Sequence, residues 1–328
     1  MPRVSENYAI VADIGGTNAR FCRVELNSLT IDQIKILSCA DYRGIEDAWI
    51  HYLETSSVKV VSQAAIAIAC PVNNEIIRMT NSHWQFSREL IKQKLDLKQL
   101  YILNDFTATA MCLPVLAAEH RLQIGNGLAE SGQNKLVLGA GTGLGVAQLI
   151  SSAHGFMPLA GEGGHADWAV QTEQEWFIHQ YLSRKYGHVS SERILSGTGL
   201  EDIYTALAAY HGKREQSLSA AEIAQMALSN SCSLASAVVK QFFASLGGFA
   251  GNLALTTNAF GGVYLAGGIV PKLLPLLVES EFRERFEDKG RFREFNQKIA
   301  TFVITAEQPG LLGAAAYLKQ RMVEDGFF

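Results

Sequence analysis

Tyr8-Ala-Ile-Val-Ala-Asp-Ile-Gly-Gly-Thr-Asn-Ala-Arg-Phe-Cys-Arg-Val-Glu-Leu26 decides the fold. Its first part, up to Asp13, reads as a buried strand, and Ala19 to Leu26 reads as a second. Two β-type runs around a Gly-Gly turn predict a hairpin. The arrangement returns at Lys135-Leu-Val-Leu-Gly-Ala-Gly-Thr-Gly-Leu-Gly-Val-Ala-Gln-Leu-Ile150. The copies lie about one domain length apart, which predicts duplicated domain cores. Such a turn presents several backbone N–H groups, and glycine lets a bulky anion approach them. A single one reads as a plain hairpin turn. Two related turns, each offering a threonine hydroxyl (Thr17 and Thr142), point to phosphate. The segment has no GxxxxGK[ST] signature, and Gly139 to Gly145 runs strand to strand without satisfying GxGxxG. The HRD and DFG signatures of protein kinases are also missing.

Outward from these turns the chain alternates strands and helices, which predicts α/β sheets with helix cover. Expected strands are Ile34 to Ser38, Ala64 to Cys70, Leu100 to Leu103, Gly261 to Ala266 and Thr301 to Ile304. Expected helices are Ile45 to Leu53 and one capped by Ser87, with Leu90, Ile91 and Leu95 on one face. Further helices are expected at Phe106 to Leu113, Glu173 to Tyr186, Gly199 to Tyr210, Ala220 to Leu228, Leu234 to Thr256, after Pro271, and at Leu311 to Arg321.

Asp13 ends the first strand. A carboxylate there suits a magnesium ion held through water beside phosphates, or simply initiates a turn. Asn104-Asp105 follows an apolar strand, where α/β proteins place ligand contacts; Asp105 also reads as a helix cap. Gly161-Glu-Gly-Gly-His165 sets Glu162 and His165 in a glycine loop whose ordering is costly, so a ligand is expected to organise it. Zinc is disfavoured there, since neither HExxH nor a suitable cysteine is present. Glu192, on its pattern alone, reads as an acidic residue in a helix's first turn. Carboxylates accept strong hydrogen bonds from sugar hydroxyls.

The 328 residues are nearly half hydrophobic with a net charge of −4, a globular composition without a basic field for nucleic acid or an anionic membrane. The five cysteines are scattered without a CxxC pair, as expected in a reducing cytosol. Cys70 reads as core. The opening residues Met1-Pro-Arg-Val-Ser-Glu-Asn7 lack the pattern of a secretory signal, and no apolar run reaches the roughly 18–20 residues needed to span a bilayer. A cytoplasmic protein is expected.

The strings Ala12-Asp-Ile-Gly-Gly-Thr-Asn-Ala-Arg20, Leu103-Asn-Asp-Phe-Thr-Ala108, Gly139-Ala-Gly-Thr-Gly-Leu-Gly145 and Gly161-Glu-Gly-Gly-His165 resemble the bacterial glucokinase family. So do Glu192-Arg-Ile-Leu-Ser-Gly197, Ala266-Gly-Gly-Ile-Val-Pro271, Phe286-Glu-Asp-Lys-Gly-Arg-Phe292 and Pro309-Gly-Leu-Leu-Gly313. They occur in family order over nearly the whole chain.

The resemblance implies an α/β, actin-like ATPase (ribonuclease H-like) fold with two domains around a cleft. It implies a small domain of residues 1–115 plus 306–328, and a large one of 116–305. It further implies ATP-dependent phosphorylation of D-glucose at O6, with ATP, Mg2+ and a homodimer. By position, Asn104, Asp105, Glu162, His165 and Glu192 are implied sugar contacts, with Asp105 the general base. Ala12, Asp13, Ile14, Gly15, Gly16 and Thr17 correspond to one phosphate loop. Gly139, Ala140, Gly141, Thr142 and Gly143 correspond to the other, and Gly267 and Gly268 to the adenosine side. The family reading replaces the helix-turn reading of Glu192. Thr198 departs from the proline expected there, and the zinc motif of the related ROK kinases is absent. Rival readings are a kinase for mannose, fructose or an N-acetylhexosamine, and a non-catalytic sugar sensor of the same fold.

Overall fold

The computed structural model describes residues 7–58, 61–79, 82–213 and 217–327. The opening residues 1–6, read above for a signal, lie outside them. The chain divides into two compact units: residues 1–116, 152–160 and 306–328, and residues 117–151 and 161–305.

In the first unit, β1 (Tyr8–Ile14) and β2 (Asn18–Glu25) form the predicted antiparallel hairpin. β3 (Thr30–Ser38) is longer than expected, and α1 (Ile45–Thr55) follows it. β4 (Gln63–Ile68) is wholly buried and parallel to β1. A small hairpin, β5 (Ile76–Arg78) and β6 (Gln85–Ser87), leads into α2 (Arg88–Lys94). Ser87 caps α2 by accepting the Leu90 N–H, but Leu90 faces solvent at 57% exposure, so the expected apolar face is carried by Ile91 and Leu95 alone. β7 (Gln99–Asn104) and α3 (Asp105–Cys112) complete this stretch. The strand order is β3-β2-β1-β4-β7.

Period-two alternation sorts this sheet's side chains into two cores. Ile10, Ala12, Ile14, Ala64, Ile66 and Ile68 face Trp49 and Tyr52 of α1, whereas Ala9, Val11, Ala65 and Ala67 face the opposite way. A strand buried on both faces must be apolar throughout, which is why β1 and β4 read as unbroken runs.

The second unit contributes β8 (Arg121–Ile124), β9 (Lys135–Ala140) and β10 (Leu144–Ser152). β11 (Gly155–Gly161), nearly all of which belongs to the first unit, comes next in the chain, and the second unit continues with helices α4 (Glu173–Tyr186), α5 (Gly197–Tyr210), α6 (Ala220–Leu228) and α7 (Ser233–Thr257). β12 (Val263–Ala266) precedes α8 (Leu274–Val278), α9 (Phe282–Glu287), α10 (Arg293–Gln297) and β13 (Thr301–Ile304). Within the second unit the strand order is β10-β9-β12-β13-β8. β9 and β10 repeat the β1–β2 hairpin around the second glycine turn. α7 is apolar on most faces because the core surrounds it. Its Gly247 and Gly251 admit α9, since a Cβ would fall 2.1 Å from the Phe282 carbonyl oxygen and 2.4 Å from that of Phe286. Among the described residues no single helix is long and apolar enough to cross a membrane.

The chain then returns to the first unit as α11 (Pro309–Glu324). Leu311, Ala314, Ala315 and Leu318 pack on the small side chains of β1 and β4. α11 crosses α3 so closely that a Cβ on Gly313 would lie 1.7 Å from the Ala108 carbonyl oxygen. Backbone cannot yield as a side-chain tip does. Gly313→Ala is therefore expected to cost about 2–3 kcal/mol, read as a lower denaturant midpoint.

Candidate active site

In the first unit the site begins where β1 ends. A two-residue turn at Gly16-Thr17 puts Asp13 opposite Arg20, and the Arg20 guanidinium lies 3.7 Å from the Asp13 carboxylate. Burial raises the Asp13 pKa and Arg20 opposes the rise. The carboxylate also touches the start of α11, where a Cβ on Gly310 would come within 2.8 Å of Asp13 Oδ2. The turn itself closes through the Gly15 N–H, which donates to the Asn18 carbonyl at 2.9 Å.

β7 ends at Asn104, and α3 starts at Asp105. The cap of α3 is Asn104, not Asp105: Asn104 Oδ1 accepts from the N–H groups of Phe106 (2.9 Å) and Thr107 (3.3 Å). Asn104 holds the extended backbone that a cap requires, so Asp105 is the first helical residue. Asp105 Oδ1 accepts from Asn104 Nδ2 (2.9 Å) and the Phe106 N–H (3.0 Å). Among the described residues its Oδ2 accepts no hydrogen bond. Burial pushes the Asp105 pKa from 3.8 up to about 6, and the nearby Asp13 charge adds to this. Asp105 is thus a carboxylate with one oxygen held and one open, poised near neutrality.

In the second unit the other glycine turn is held from three sides. The Gly197 N–H donates to the Gly141 carbonyl (2.8 Å), and the Ile269 N–H to that of Ala140 (3.2 Å). Gly267, at φ +84°, sits against Ala140, where a Cβ would clash at 2.3 Å from its carbonyl oxygen. Glu192 supplies the third restraint: its Oε2 accepts the Leu144 N–H at 2.9 Å. Glu192 lies in a short 3-10 turn, Ser191–Arg193, so the first-turn reading of its sequence gives way to a contact with the glycine turn. Its Oε1 is 3.9 Å from His165 Nδ1, and His165 Nε2 is 4.0 Å from Glu162 Oε2. These are ion-pair separations, longer than hydrogen bonds. Glu162, His165 and Glu192 thus gather beside the second turn. Thr17 and Thr142 are exposed at their respective turns.

Two glycines of the loop around Glu162 pack on β10: a Cβ on Gly164 would lie 2.2 Å from the Leu144 carbonyl oxygen, and one on Gly163 3.3 Å from the Val146 side chain. Sequence reasoning gave Arg20 and Cys39 no role. Arg20 was legible, because a turn centred on Gly16-Thr17 pairs residue 13 with residue 20. Cys39 was not; its N–H donates to the Thr17 carbonyl at 2.8 Å and its thiol to the Gly15 carbonyl at 3.5 Å. Burial raises the thiol pKa, so it remains a donor at neutral pH.

A family model described as Glucokinase matches residues 10–321. The glucokinase of Psychromonas ingrahamii is 46% identical over 317 residues, covering 97% of this chain and 98% of that protein. The crystal structure of a glucokinase from an Antarctic psychrotroph superposes with a TM-score of 0.89 at 35% identity, covering 95% of this chain and 98% of that one. A ROK family glucokinase from Streptomyces griseus, solved in complex with glucose and AMPPNP, shares the fold at a TM-score of 0.62 and 17% identity, with 95% and 99% covered. The paired glycine turns, the carboxylate at the end of β7 and a match over almost the full length agree: this chain belongs to the glucokinase family.

Proposed function

We propose that the protein transfers the γ-phosphoryl group of ATP to O6 of D-glucose, giving glucose 6-phosphate and ADP, with Asp105 as general base. The observation that carries the reading is Asp105 itself: a carboxylate with an open oxygen and a pKa raised to about 6, in the same unit as the Gly15–Thr17 turn. Membership of the glucokinase family supports the substrate.

In this reading Asn104, Asp105, Glu162, His165 and Glu192 contact the sugar. The turns at Ala12–Thr17 and Gly139–Gly143 bind phosphates, with Gly267 and Gly268 on the adenosine side. The O6–H donates its proton to Asp105 Oδ2 as O6 bonds to the γ-phosphorus and the bond to ADP breaks. Little covalent chemistry is asked of the protein, so placement of O6 and neutralisation of charge carry most of the acceleration.

Among the described residues no group of three or more His, Cys, Asp or Glu side chains is arranged to hold a metal. Asp13, at the end of β1 beside the first glycine turn, is the residue that would hold, through water, a magnesium ion brought by the nucleotide. Bound there, it would neutralise phosphate charge. We place the enzyme in the cytoplasm as a homodimer; the unpaired cysteines support a reducing compartment.

Glu192 joins the sugar contacts to the second turn. A Cβ on Gly143 would lie 2.6 Å from Glu192 Oε2, so Gly143→Ala displaces that carboxylate. It is expected to weaken glucose binding about tenfold even without nucleotide, as calorimetry would show.

ADP release measured across glucose, mannose, fructose and N-acetylhexosamines tests the proposal. The highest kcat/KM is expected for glucose. A clear preference for another hexose would move the assignment to that sugar, and no sugar-dependent release would favour the non-catalytic sensor.

A further inference from the structure

In an ordinary two-residue hairpin, the residues flanking the turn exchange two hydrogen bonds. Around Gly16-Thr17 the Gly15 N–H donates to the Asn18 carbonyl at 2.9 Å. Among the described residues the return bond, from the Asn18 N–H to the Gly15 carbonyl, is not made. The Gly15 carbonyl is taken by the Cys39 thiol at 3.5 Å, and the next carbonyl but one, that of Thr17, by the Cys39 N–H at 2.8 Å. No other side chain hydrogen-bonds this turn among the described residues. Cys39 follows the last residue of β3 and is 1% exposed, so solvent does not compete for its thiol.

The described peptide bonds are trans. In a planar trans peptide the C=O of one residue and the N–H of the next point in opposite directions. Fixing the Gly15 carbonyl toward Cys39 therefore turns the Gly16 N–H away from Cys39.

We infer that Cys39 is a positioning residue for the nucleotide: by holding the Gly15 and Thr17 carbonyls on the buried side of the turn, it aims the Gly16 N–H outward at a phosphate oxygen. The inference rests on the proposed role of this turn in phosphate binding. Without the thiol, the peptide between Gly15 and Gly16 is free to rotate and close the ordinary hairpin bond. The outward donor is then lost.

Cys39→Val fills nearly the same volume without a donor, and Cys39→Ser keeps a donor on a shorter arm. Calorimetry with a non-hydrolysable ATP analogue, and separately with glucose, reads the effect. Cys39→Val is expected to raise the analogue Kd about fivefold, the loss of one modest hydrogen bond, and to leave the glucose Kd within about twofold. Cys39→Ser is expected to recover most of the affinity. An unchanged analogue Kd in Cys39→Val overturns the inference. So does an equal loss in the serine variant, or a parallel loss of glucose binding, since either marks a packing role. Gly16→Val, which crowds the turn itself, separates the two readings. If it leaves analogue affinity intact, the phosphate role of the turn fails and the inference fails with it. If it weakens binding while Cys39→Val does not, the inference alone fails.

Discussion

Asp105→Asn is expected to lower kcat by about a hundred- to ten-thousand-fold, with the glucose Kd unchanged within about threefold. Asparagine keeps the shape of the side chain and an oxygen able to accept the Phe106 N–H, but it cannot take a proton from O6. Steady-state kinetics beside glucose calorimetry check both halves, and near-normal turnover would sink the assignment.

The same substitution has a second consequence with a definite sign. The Asp105 pKa is 3.8 in an ordinary setting and about 6 in the fold. The folded chain therefore holds this proton more tightly than the unfolded chain. The stability that the proton adds is fully present below the unfolded pKa and is lost as pH rises through the folded one. At about pH 8 the ionised carboxylate costs the fold about 2–3 kcal/mol. Asp105→Asn removes that cost, so the variant is expected to be more stable than the native protein at pH 8 and to lose the advantage in acid. A variant that is inactive yet more stable cannot be explained by misfolding. In the proposed mechanism the site trades stability for a base that is ionised when needed.

Glu175→Ala is expected to destabilise the second unit by about 3–5 kcal/mol. Glu175 is 0% exposed. It completes a capping box with Thr172 at the start of α4, and its carboxylate also accepts the Gln171 N–H at 2.6 Å. Arg285 Nη2 reaches both of its oxygens, at 2.9 and 3.1 Å, and Gln241 Nε2 donates at 3.0 Å. Truncation leaves a nearly buried guanidinium without its counter-charge and strands several donors at once. Glu175→Gln keeps an acceptor for the capping box and should lose less. Chemical denaturation measures both. A loss below about 1 kcal/mol for the alanine variant would mean that the network contributes little.

Legibility in the sequence tracked how local each cause was. The glycine hairpins, the strand entering Asn104-Asp105 and the long helices follow from periodicity and turn chemistry within a dozen residues, and the structure has them. The short elements β5, β6, β8, β11, α9 and α10 were missed. β8 is four residues long and half polar, and β11 alternates exposed and half-buried residues around glycine and proline without a strong apolar face. The capping box of α4 is a four-residue pattern, but its charge partner Arg285 lies 110 positions away. Glu192 likewise gains its meaning from Leu144, 48 positions earlier, so nearby residues alone suggested a helix's first turn. Asp105 sits between these cases. Its place at a strand end was legible, whereas its open oxygen became clear only when Asn104 took the cap.

The pH dependence of kcat at saturating glucose and Mg-ATP, for the native protein and for the residual rate of Asp105→Asn, tests the central claim most directly. The native rate is expected to rise with pH along a single acid limb with a midpoint near the Asp105 value of about 6, and the variant is expected to lack that limb. A native profile flat through this range, or a limb that survives in Asp105→Asn, would contradict Asp105 as the base.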